Sequence, residues 1–400
     1  MSAAGKQTAE TISNLPNAIP GLADHAKLDV AFVLPNLELT SPVETNYVGI
    51  LPSSDPRVIQ IAKRSPATHA LINNFTNHRG GQITVSVMVV HKDAPKSVKD
   101  VAALVSFRNI YAVACVLQSW QFSIGSPNAW GTRFSDYYDF YPYAPTPDGE
   151  HLFHIGHAFS IWDTPDNFRG QPYPEFSRNQ LALHTKYDEQ LFSLLLKAWT
   201  TRFERDRKSW KSNKLFRSLA IAYHACSLPK KNGLWFYDFG VSIALWISAF
   251  EILAHPGRSS KSDLSAVLNL LSKARFRDAA VRRQRKIKNP KNPNQTGNAA
   301  EFLYWRSYKS RNAFLHGNPV TDHDVLYKNR SRHSLLTSVA PILFTVALLC
   351  HFDRFATPPT RKIVRRRIRA LDWNMERYFT KSRLEKALKH ILTGKDRTLI

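Results

Sequence analysis

The chain has 400 residues, and its 55 lysines and arginines exceed its 31 acidic residues by enough to give a net charge of +24. Hydrophobic residues make up 43% of it, which excludes a disordered chain and is enough for two or three packed domains. The positive charge favours a polyanionic partner, either nucleic acid or an acidic membrane surface, with a solvated basic surface as the alternative.

Cysteine usage and hydropathy indicate a cellular compartment. Cys115, Cys226 and Cys350 lie far apart in apolar runs without a CxxC pair, which predicts free thiols in a reducing compartment and neither a disulfide nor a zinc site. The first 21 residues lack the apolar core of a signal peptide. The stretches Val241–Leu253 and Leu335–Cys350 are shorter than the ~20 residues of a membrane span. We therefore predict a cytoplasmic protein that does not insert into a membrane.

The first half of the chain mixes strand and helix patterns. After a flexible tail over residues 1–20, alternating apolar residues predict strands at Leu28–Leu34, Asn46–Leu51 and Gly80–Val90. Ser97 and Asp100 have the spacing of a capping box, which predicts a helix from there to Trp120. We expect an α+β N-terminal domain over residues 21–205, which would act as a sensor for a regulatory partner or ligand.

The segment from Gly125 to Pro174 is rich in aromatic residues, proline and glycine, and it predicts loops and edge strands. Its tyrosine-rich part, Tyr137–Tyr143, could stack on bases, but packing within its own domain is the simpler expectation. His151, His154 and His157 form an HxxHxxH series without the geometry of a metal site. We therefore expect neither a metal nor a cofactor.

The second half has helical periodicity. It predicts an all-α bundle over residues 206–358, interrupted by a basic, mobile insertion at about 281–298 and followed by a basic helical tail over 359–400. The predicted helices, including one that precedes the bundle, are Asn179–Trp199, Asn213–Leu228, Phe239–Ala254, Asp263–Ser272, Ala299–His316 and Ser334–Phe352. Phe239–Ala254 is apolar nearly all round, which indicates a central helix.

The stretch RNAFLHG, from Arg311 to Gly317, carries the candidate chemistry. Gly317 followed by Asn-Pro is a normal helix stop, so His316 would lie at the open helix end, where the helix dipole favours an imidazolium. Arg311 can donate two hydrogen bonds to a phosphate, and Asn312 can add another. This combination suits RNA cleavage without a metal, in which a ribose 2′-OH attacks the adjacent phosphate.

The spacing of Arg311 and His316 is weak evidence by itself. A basic residue five positions before a histidine should occur about twice by chance in a chain of this composition, and Arg64 and His69 repeat the spacing. There, Pro66 interrupts any helix between the two residues and no asparagine follows the arginine. Glu251 lies on the apolar helix Phe239–Ala254, so it should have a basic partner, either Arg311, which it would orient, or another basic group.

Nearby basic residues extend the positive surface. Those expected to contact RNA phosphates, with solvated faces as the alternative, are Arg306, Lys309, Arg282, Arg283, Arg285 and Lys286. A second basic run, Arg361–Arg369, has the same expected role.

RNAFLHG on a helix resembles the R-N-x3-H signature of the HEPN superfamily, many of whose members are ribonucleases. The helix FGVSIALWISAFEILAHP upstream and the helix SLLTSVAPILFTVALLCHF downstream resemble its bundle, and the whole looks most like the Apea-like HEPN group. The resemblance covers residues 213–355 and departs from a compact HEPN domain in the basic insertion.

The resemblance implies an all-α HEPN-type bundle with Arg311 and His316 as catalytic residues and Asn312 assisting them. It further implies a homodimer that pairs two motifs, and an endoribonuclease in a bacterial toxin or anti-phage defence role. The alternative is a non-catalytic module that binds RNA or nucleotides for sensing or dimerisation.

Overall fold

The computed structural model describes twelve parts of the chain. They are residues 22–76, 80–124, 137–146, 150–154, 161–162, 168–169, 187–228, 235–257, 263–289, 292–328, 333–355 and 374–393. The chain divides into two compact units, an N-terminal unit of Met1–Leu104 with Asp136–Tyr173 and a helical unit of Val105–Ser135 with Pro174–Ile400. The predicted tail over residues 1–20 and the basic run Arg361–Arg369 lie outside the described residues.

The N-terminal unit is built on a four-stranded antiparallel sheet. Its strands are β1 (Leu28–Leu34), β2 (Val43–Glu44), β3 (Val48–Pro52) and β5 (Ser86–His91), in the order β1-β5-β3-β2. Helices α1 (Pro56–Ala62) and α2 (Pro66–Asn73) follow β3. The smaller strands are β4 (Phe75–Thr76), β6 (Tyr143–Pro145), β7 (Leu152–His154), β8 (Ile161–Trp162) and β9 (Phe168–Arg169). Every residue of β3 and β5 is buried, which explains their continuous apolar runs.

The tyrosine-rich stretch packs within this unit, as predicted. Tyr137 and Tyr138 are fully buried. The ring of Tyr141 lies edge-on to that of Phe75, with 4.7 Å between centroids. Burial raises the pKa of Tyr141 to about 12, with a smaller contribution from Tyr143. The rings therefore stabilise the N-terminal unit.

A helix that extends past Trp120 is present as predicted, but its predicted start at Ser97 is wrong, because the chain forms two helices there. A short helix α3 (Lys96–Lys99) ends at Asp100, whose backbone is extended with ψ 133°. The Asp100 carboxylate then accepts a hydrogen bond of 2.8 Å from the backbone N–H of Ala102, at the start of α4 (Val101–Ser123). Asp100 therefore caps the start of the long helix.

One helix among the described residues is long and apolar enough to cross a membrane, and it is the span Val101–Gln121 of α4. This span is neither of the two apolar stretches, Val241–Leu253 and Leu335–Cys350, that come closest to a membrane span by sequence. In the structure 78% of this span is buried within the protein. Packing inside the protein thus explains its apolar character.

The helical unit continues from α4. Its further helices are α5 (Glu189–Trp199), α6 (Trp210–Ser227), α7 (Trp235–Ala254), α8 (Leu264–Leu271), α9 (Ala279–Arg282), α10 (Ala299–Leu315), α11 (Asp322–Val325), α12 (Leu336–His351) and α13 (Asn374–Thr393). A π-helical turn, Thr200–Glu204, follows α5. Two hairpins pair β10 (Arg285–Lys286) with β11 (Thr296–Gly297), and β12 (Leu326–Lys328) with β13 (His333–Leu335).

Helix α7 is central to this unit, as its apolar sequence predicts. It packs against α6, α8, α10 and α12. Its buried rings Trp246 and Phe250 both contact Phe344 of α12, with centroids 5.5 and 5.3 Å apart. None of the three cysteines, all of which lie among the described residues, forms a disulfide, and Cys115 and Cys350 are buried.

The structure agrees with the predicted order of an α+β unit followed by a helix-rich unit. The α+β unit contains the small antiparallel sheet. The helical unit also includes residues 105–135 and 174–205, which the sequence interpretation assigned to the N-terminal domain. Part of the predicted C-terminal tail, α13, is packed, with Leu384, Leu388 and Ile391 fully buried.

Candidate active site

Helix α10 carries the RNAFLHG stretch and has strong signals at both ends. At its start, the side chain of Asn298 accepts from the N–H of Glu301, whose carboxylate accepts from the N–H of Asn298. At its end, Gly317 adopts a φ of +66°, and the N–H of Asn318 donates to the carbonyl of Ala313 at 3.0 Å. Such a stop favours glycine because a side chain is strained at positive φ. The predicted helix Ala299–His316 is thus confirmed to within one residue.

Helix α10 is held closely against α7. The ring of Phe314 packs on that of Phe239, with centroids 5.6 Å apart. Gly240 permits this approach, because a Cβ atom there would lie only 2.7 Å from the Phe314 ring. The C-terminal turn of α10, which contains the motif, therefore has a rigid support.

Arg311 is half-buried on α10. Its Nη1 donates to Oδ1 of the neighbouring Asn312 at 3.0 Å, and its Cζ lies 6.0 Å from the centroid of the Tyr308 ring. Its Nε is buried and makes no hydrogen bond to any described residue. The same holds, within the described part of the chain, for the hydroxyls of Tyr304 and Ser310. The motif helix thus keeps unused hydrogen-bonding capacity.

Glu251 interacts electrostatically with Arg311. Burial raises the pKa of the Glu251 carboxyl, the charge of Arg311 opposes this rise, and Asp263 adds to it. Tyr304, which is fully buried, has a pKa raised by burial first and by Glu251 and Tyr308 next. The structure therefore brings Glu251 near Arg311, where its charge can orient the guanidinium.

His316 lies at the C-terminal end of the motif, five residues after Arg311. It is the C-terminal cap of α10, its side chain is exposed, and its backbone N–H donates to the carbonyl of Asn312 at 3.0 Å. Five residues of helix separate it from Arg311 by about 140° around the axis and roughly 7.5 Å along it. One chain therefore presents an inward guanidinium and an outward imidazole.

The basic residues expected to contact RNA have different surroundings. Arg306 donates to the carbonyls of His323 and Leu326, and it thereby holds the segment after α10. Arg285 donates to the carbonyls of Arg283 and Ala280, each at 2.7 Å. These two guanidinium groups stabilise backbone turns. The side chains that remain exposed are Lys309, Arg282, Arg283 and Lys286.

The insertion predicted to be mobile contains an ordered hairpin. Ile287 is fully buried, and its N–H donates to the carbonyl of Gln295 beside the β10–β11 pair. The hairpin is ordered because the apolar side chain of Ile287 is buried. In the sequence, one apolar residue flanked by basic and polar residues is only a weak signal for such order. The basic insertion therefore has a defined position beside α10.

A pocket of about 440 Å³ beside α10 is a feature that the sequence interpretation missed. The residues that line it are Asp263, Leu264, Ser265, Lys288, Asn289, Trp305, Tyr308, Lys309 and Asn312. The available signal was the spacing of Trp305, Tyr308, Lys309 and Asn312, which places these residues on one helix face.

No group of three or more metal-ligating side chains exists among the residues that the structure describes. In the HxxHxxH series, His151 is exposed and His157 lies outside the described residues. Arg64 and His69, which repeat the spacing of Arg311 and His316, do not lie on one helix, because Ser65 caps α2 and Pro66 begins it.

The chain was also compared with known proteins. No protein-family model matches the sequence, and neither the curated proteins nor the solved structures include a significant match.

Proposed function

We propose that the helical unit is an endoribonuclease that cleaves RNA without a metal, by attack of a ribose 2′-OH on the adjacent phosphate. The observation that carries the proposal is Arg311, which has a buried donor not used by the described protein. It lies on a helix that is capped at both ends and is followed by an exposed histidine. A phosphate is the natural acceptor for a guanidinium with spare donors.

The chemistry uses groups that this helix presents. The 2′-OH gives its proton to a water molecule as its oxygen bonds to phosphorus, and the bond from phosphorus to the 5′-oxygen breaks. The products are a 2′,3′-cyclic phosphate and a 5′-hydroxyl. Arg311 would stabilise the charge on the phosphorane, and a protonated His316 would supply the proton to the leaving 5′-oxygen. Asn312 holds one Arg311 nitrogen, and the Glu251 charge orients the guanidinium.

Arg311 and His316 point in different directions around one helix, which supports a site shared by two chains. In a homodimer, the exposed His316 of one copy would approach the Arg311 region of the other. The net charge of +24 supports RNA as the partner. The resemblance to HEPN ribonucleases supports a toxin or anti-phage defence role in the cytoplasm. The N-terminal unit would then receive the regulatory partner or ligand.

Cleavage of a fluorescent single-stranded RNA in the presence of EDTA tests this proposal. The wild-type chain should release a 2′,3′-cyclic phosphate, whereas His316→Ala should lower the rate by about 10²–10⁴-fold with RNA binding retained. His69→Ala is the matched control, since His69 repeats the spacing and is exposed. Loss of activity in both variants, or wild-type protein that binds RNA and never cleaves it, would sink the proposal.

A second candidate is a non-catalytic module that binds RNA or nucleotides. The observation that favours it is the pocket beside α10, whose lining includes Asn312 but neither Arg311 nor His316. In that case RNA binding would persist in wild type and in both histidine variants, without any cyclic phosphate product.

A further inference from the structure

The pocket beside α10 has walls from three segments that are far apart in the sequence. Trp305, Tyr308, Lys309 and Asn312 share one face of α10, since they follow the i, i+3, i+4, i+7 spacing. Lys288 and Asn289 form another wall, from the chain that follows β10. Residues 263–265, at the start of α8, complete it.

Hydrogen bonds hold these walls in place. The indole Nε1 of Trp305 donates to the carbonyl of Lys288 at 3.2 Å, which joins α10 to the hairpin. The amide of Asn289 donates to Oε1 of Gln295 at 2.7 Å. The carboxylate of Asp263 accepts from the N–H of Ala266 and caps α8. A pocket formed in advance in this way loses little conformational entropy when it binds a ligand.

The lining suits a ligand that is flat, aromatic and anionic. Trp305 and Tyr308 are half-buried rings, on which a base can stack. Lys288 and Lys309 are exposed cations on two different walls, where they can bind a phosphate. The amide of Asn312 and the carboxylate of Asp263 can donate to and accept from the edge of a base. A nucleotide combines these three properties.

The pocket adjoins the proposed catalytic arginine. Tyr308, in the pocket wall, lies 6.0 Å from the Arg311 guanidinium. Asn312, also in the wall, accepts a hydrogen bond from Arg311. A base stacked on Tyr308 would therefore lie beside Arg311.

We propose that this pocket binds one unpaired nucleotide of the RNA substrate and thereby selects single-stranded RNA. The inference rests on the proposed function and identifies the substrate class of the same site. A base in a duplex is stacked and paired, so it cannot enter a side pocket, whereas an unpaired base can turn out and stack on protein rings.

Binding is measured on the full chain with His316→Ala, so that the RNA stays intact and a failure of catalysis does not affect the result. Fluorescence anisotropy reports the affinity for a short labelled single-stranded RNA, for the matching duplex and for competing mononucleotides. The parent should bind the single strand at least tenfold more tightly than the duplex, and mononucleotides should compete weakly. Equal affinity for the duplex, or tighter binding of a free mononucleotide, would overturn the proposal.

Added substitutions locate the binding site. Tyr308→Leu should weaken single-strand binding by about tenfold, whereas Tyr308→Phe should retain it, because the ring provides the stacking. The double substitution Lys288→Ala, Lys309→Ala should lower the number of counterions released on RNA binding by about two, as measured from the salt dependence of the affinity. Lys386→Ala, at an exposed lysine of α13, should leave binding unchanged. If the Tyr308 and lysine variants bind as tightly as the parent, the pocket is not the site.

Photocrosslinking provides a test that does not depend on how the variants fold. A single-stranded RNA that contains 4-thiouridine is irradiated with the His316→Ala chain, and the crosslinked peptides are identified by mass spectrometry. Crosslinks at Trp305 or Tyr308 support the proposal, and crosslinks confined to other segments contradict it.

Discussion

Two arginines, one in each unit, have contrasting surroundings. In the N-terminal unit, Arg57 donates from Nε and Nη2 to the two oxygens of Asp55, at 2.9 and 2.8 Å. Its Nη1 donates to Glu44 at 2.8 Å and to the carbonyl of Leu22 at 3.2 Å. In the helical unit, Arg311 donates from Nη1 to Asn312, and its buried Nε has no hydrogen bond to a described residue.

The two arginines differ in how many of their donors the described protein uses. Hydrogen bonds to Asp55, opposed by burial, raise the pKa of Arg57, so its charge is stabilised by the fold. An unsatisfied buried donor costs about 1–3 kcal/mol, and Arg311 is accompanied by the unsatisfied hydroxyls of Tyr304 and Ser310 within the described chain. Arg311 therefore lowers the stability of the helical unit relative to an arginine whose donors are all bonded.

Replacement of each arginine by lysine gives the largest contrast. Arg311→Lys keeps the charge but loses the planar fork, so the rate of RNA cleavage should fall by about 10²-fold without a fall in the thermal midpoint of unfolding. Arg57→Lys should retain full activity at a temperature where it is folded. Equal activity losses in the two variants would show that Arg311 acts through stability.

Acid should destabilise the helical unit before the N-terminal unit. Burial lowers the pKa of His351 to about 4, with help from Lys214, Lys211 and Lys273 and against Asp353. The neutral imidazole stabilises the fold above pH 6.5, and this contribution of roughly 3 kcal/mol is lost as the pH falls towards 4. The protection factors of the α12 amides, which are corrected for the pH dependence of intrinsic exchange, should fall over that interval.

In the N-terminal unit, Asp55 is the titrating group whose pKa links stability to pH. Burial raises its pKa, but the hydrogen bonds and charge of Arg57 outweigh burial, so the net pKa lies below 3.8. Its stabilising contribution is present above pH 3.8 and is lost only at lower pH. The protection factors of the β3 amides should therefore stay constant between pH 6.5 and 4, and a simultaneous fall in β3 and α12 would contradict this order.

The stability of the N-terminal unit should depend on the Arg57 fork. Arg57→Lys should lower its free energy of unfolding by about 2 kcal/mol, because Asp55, with a side chain only 7% exposed, loses part of its hydrogen bonding. Urea denaturation followed by hydrogen exchange in β1 and β5 measures the effect. Arg275→Lys, at an exposed arginine, is the control, and an equal effect there would refute the assignment.

The smallest effect is expected at Glu251. Burial raises the pKa of Glu251 in the folded protein above the ordinary 4.5. As the pH rises through this folded-state pKa, the buried carboxyl becomes charged and the free energy of unfolding decreases. Glu251→Gln should therefore be slightly more stable than wild type at pH 7 and equal to it at pH 4. Cleavage should fall only severalfold, because the neutral amide of the variant no longer attracts the guanidinium of Arg311. A less stable variant at pH 7 would indicate that the ion pair dominates burial.

Local signals made part of the site predictable. Gly317 after His316 predicted where α10 ends, and the all-round apolar sequence of α7 predicted its central position. Asp100 shows the limit of such signals, because the same carboxylate fits a capping box with Ser97 and a cap for α4. The resemblance to HEPN proteins and the catalytic roles of Arg311 and His316 remain predictions.

By itself, the sequence determined that a basic chain carries Arg311, Asn312 and His316 on one helix with a glycine stop, because helix formation and capping depend on residues a few positions apart. Only the tertiary structure decided which cations remain available. Arg306 and Arg285 are bound to carbonyls, whereas the side chain of Lys288 is exposed and lines a pocket beside α10. Such contacts depend on how segments distant in sequence pack, and the spacing of residues along the chain does not encode that packing.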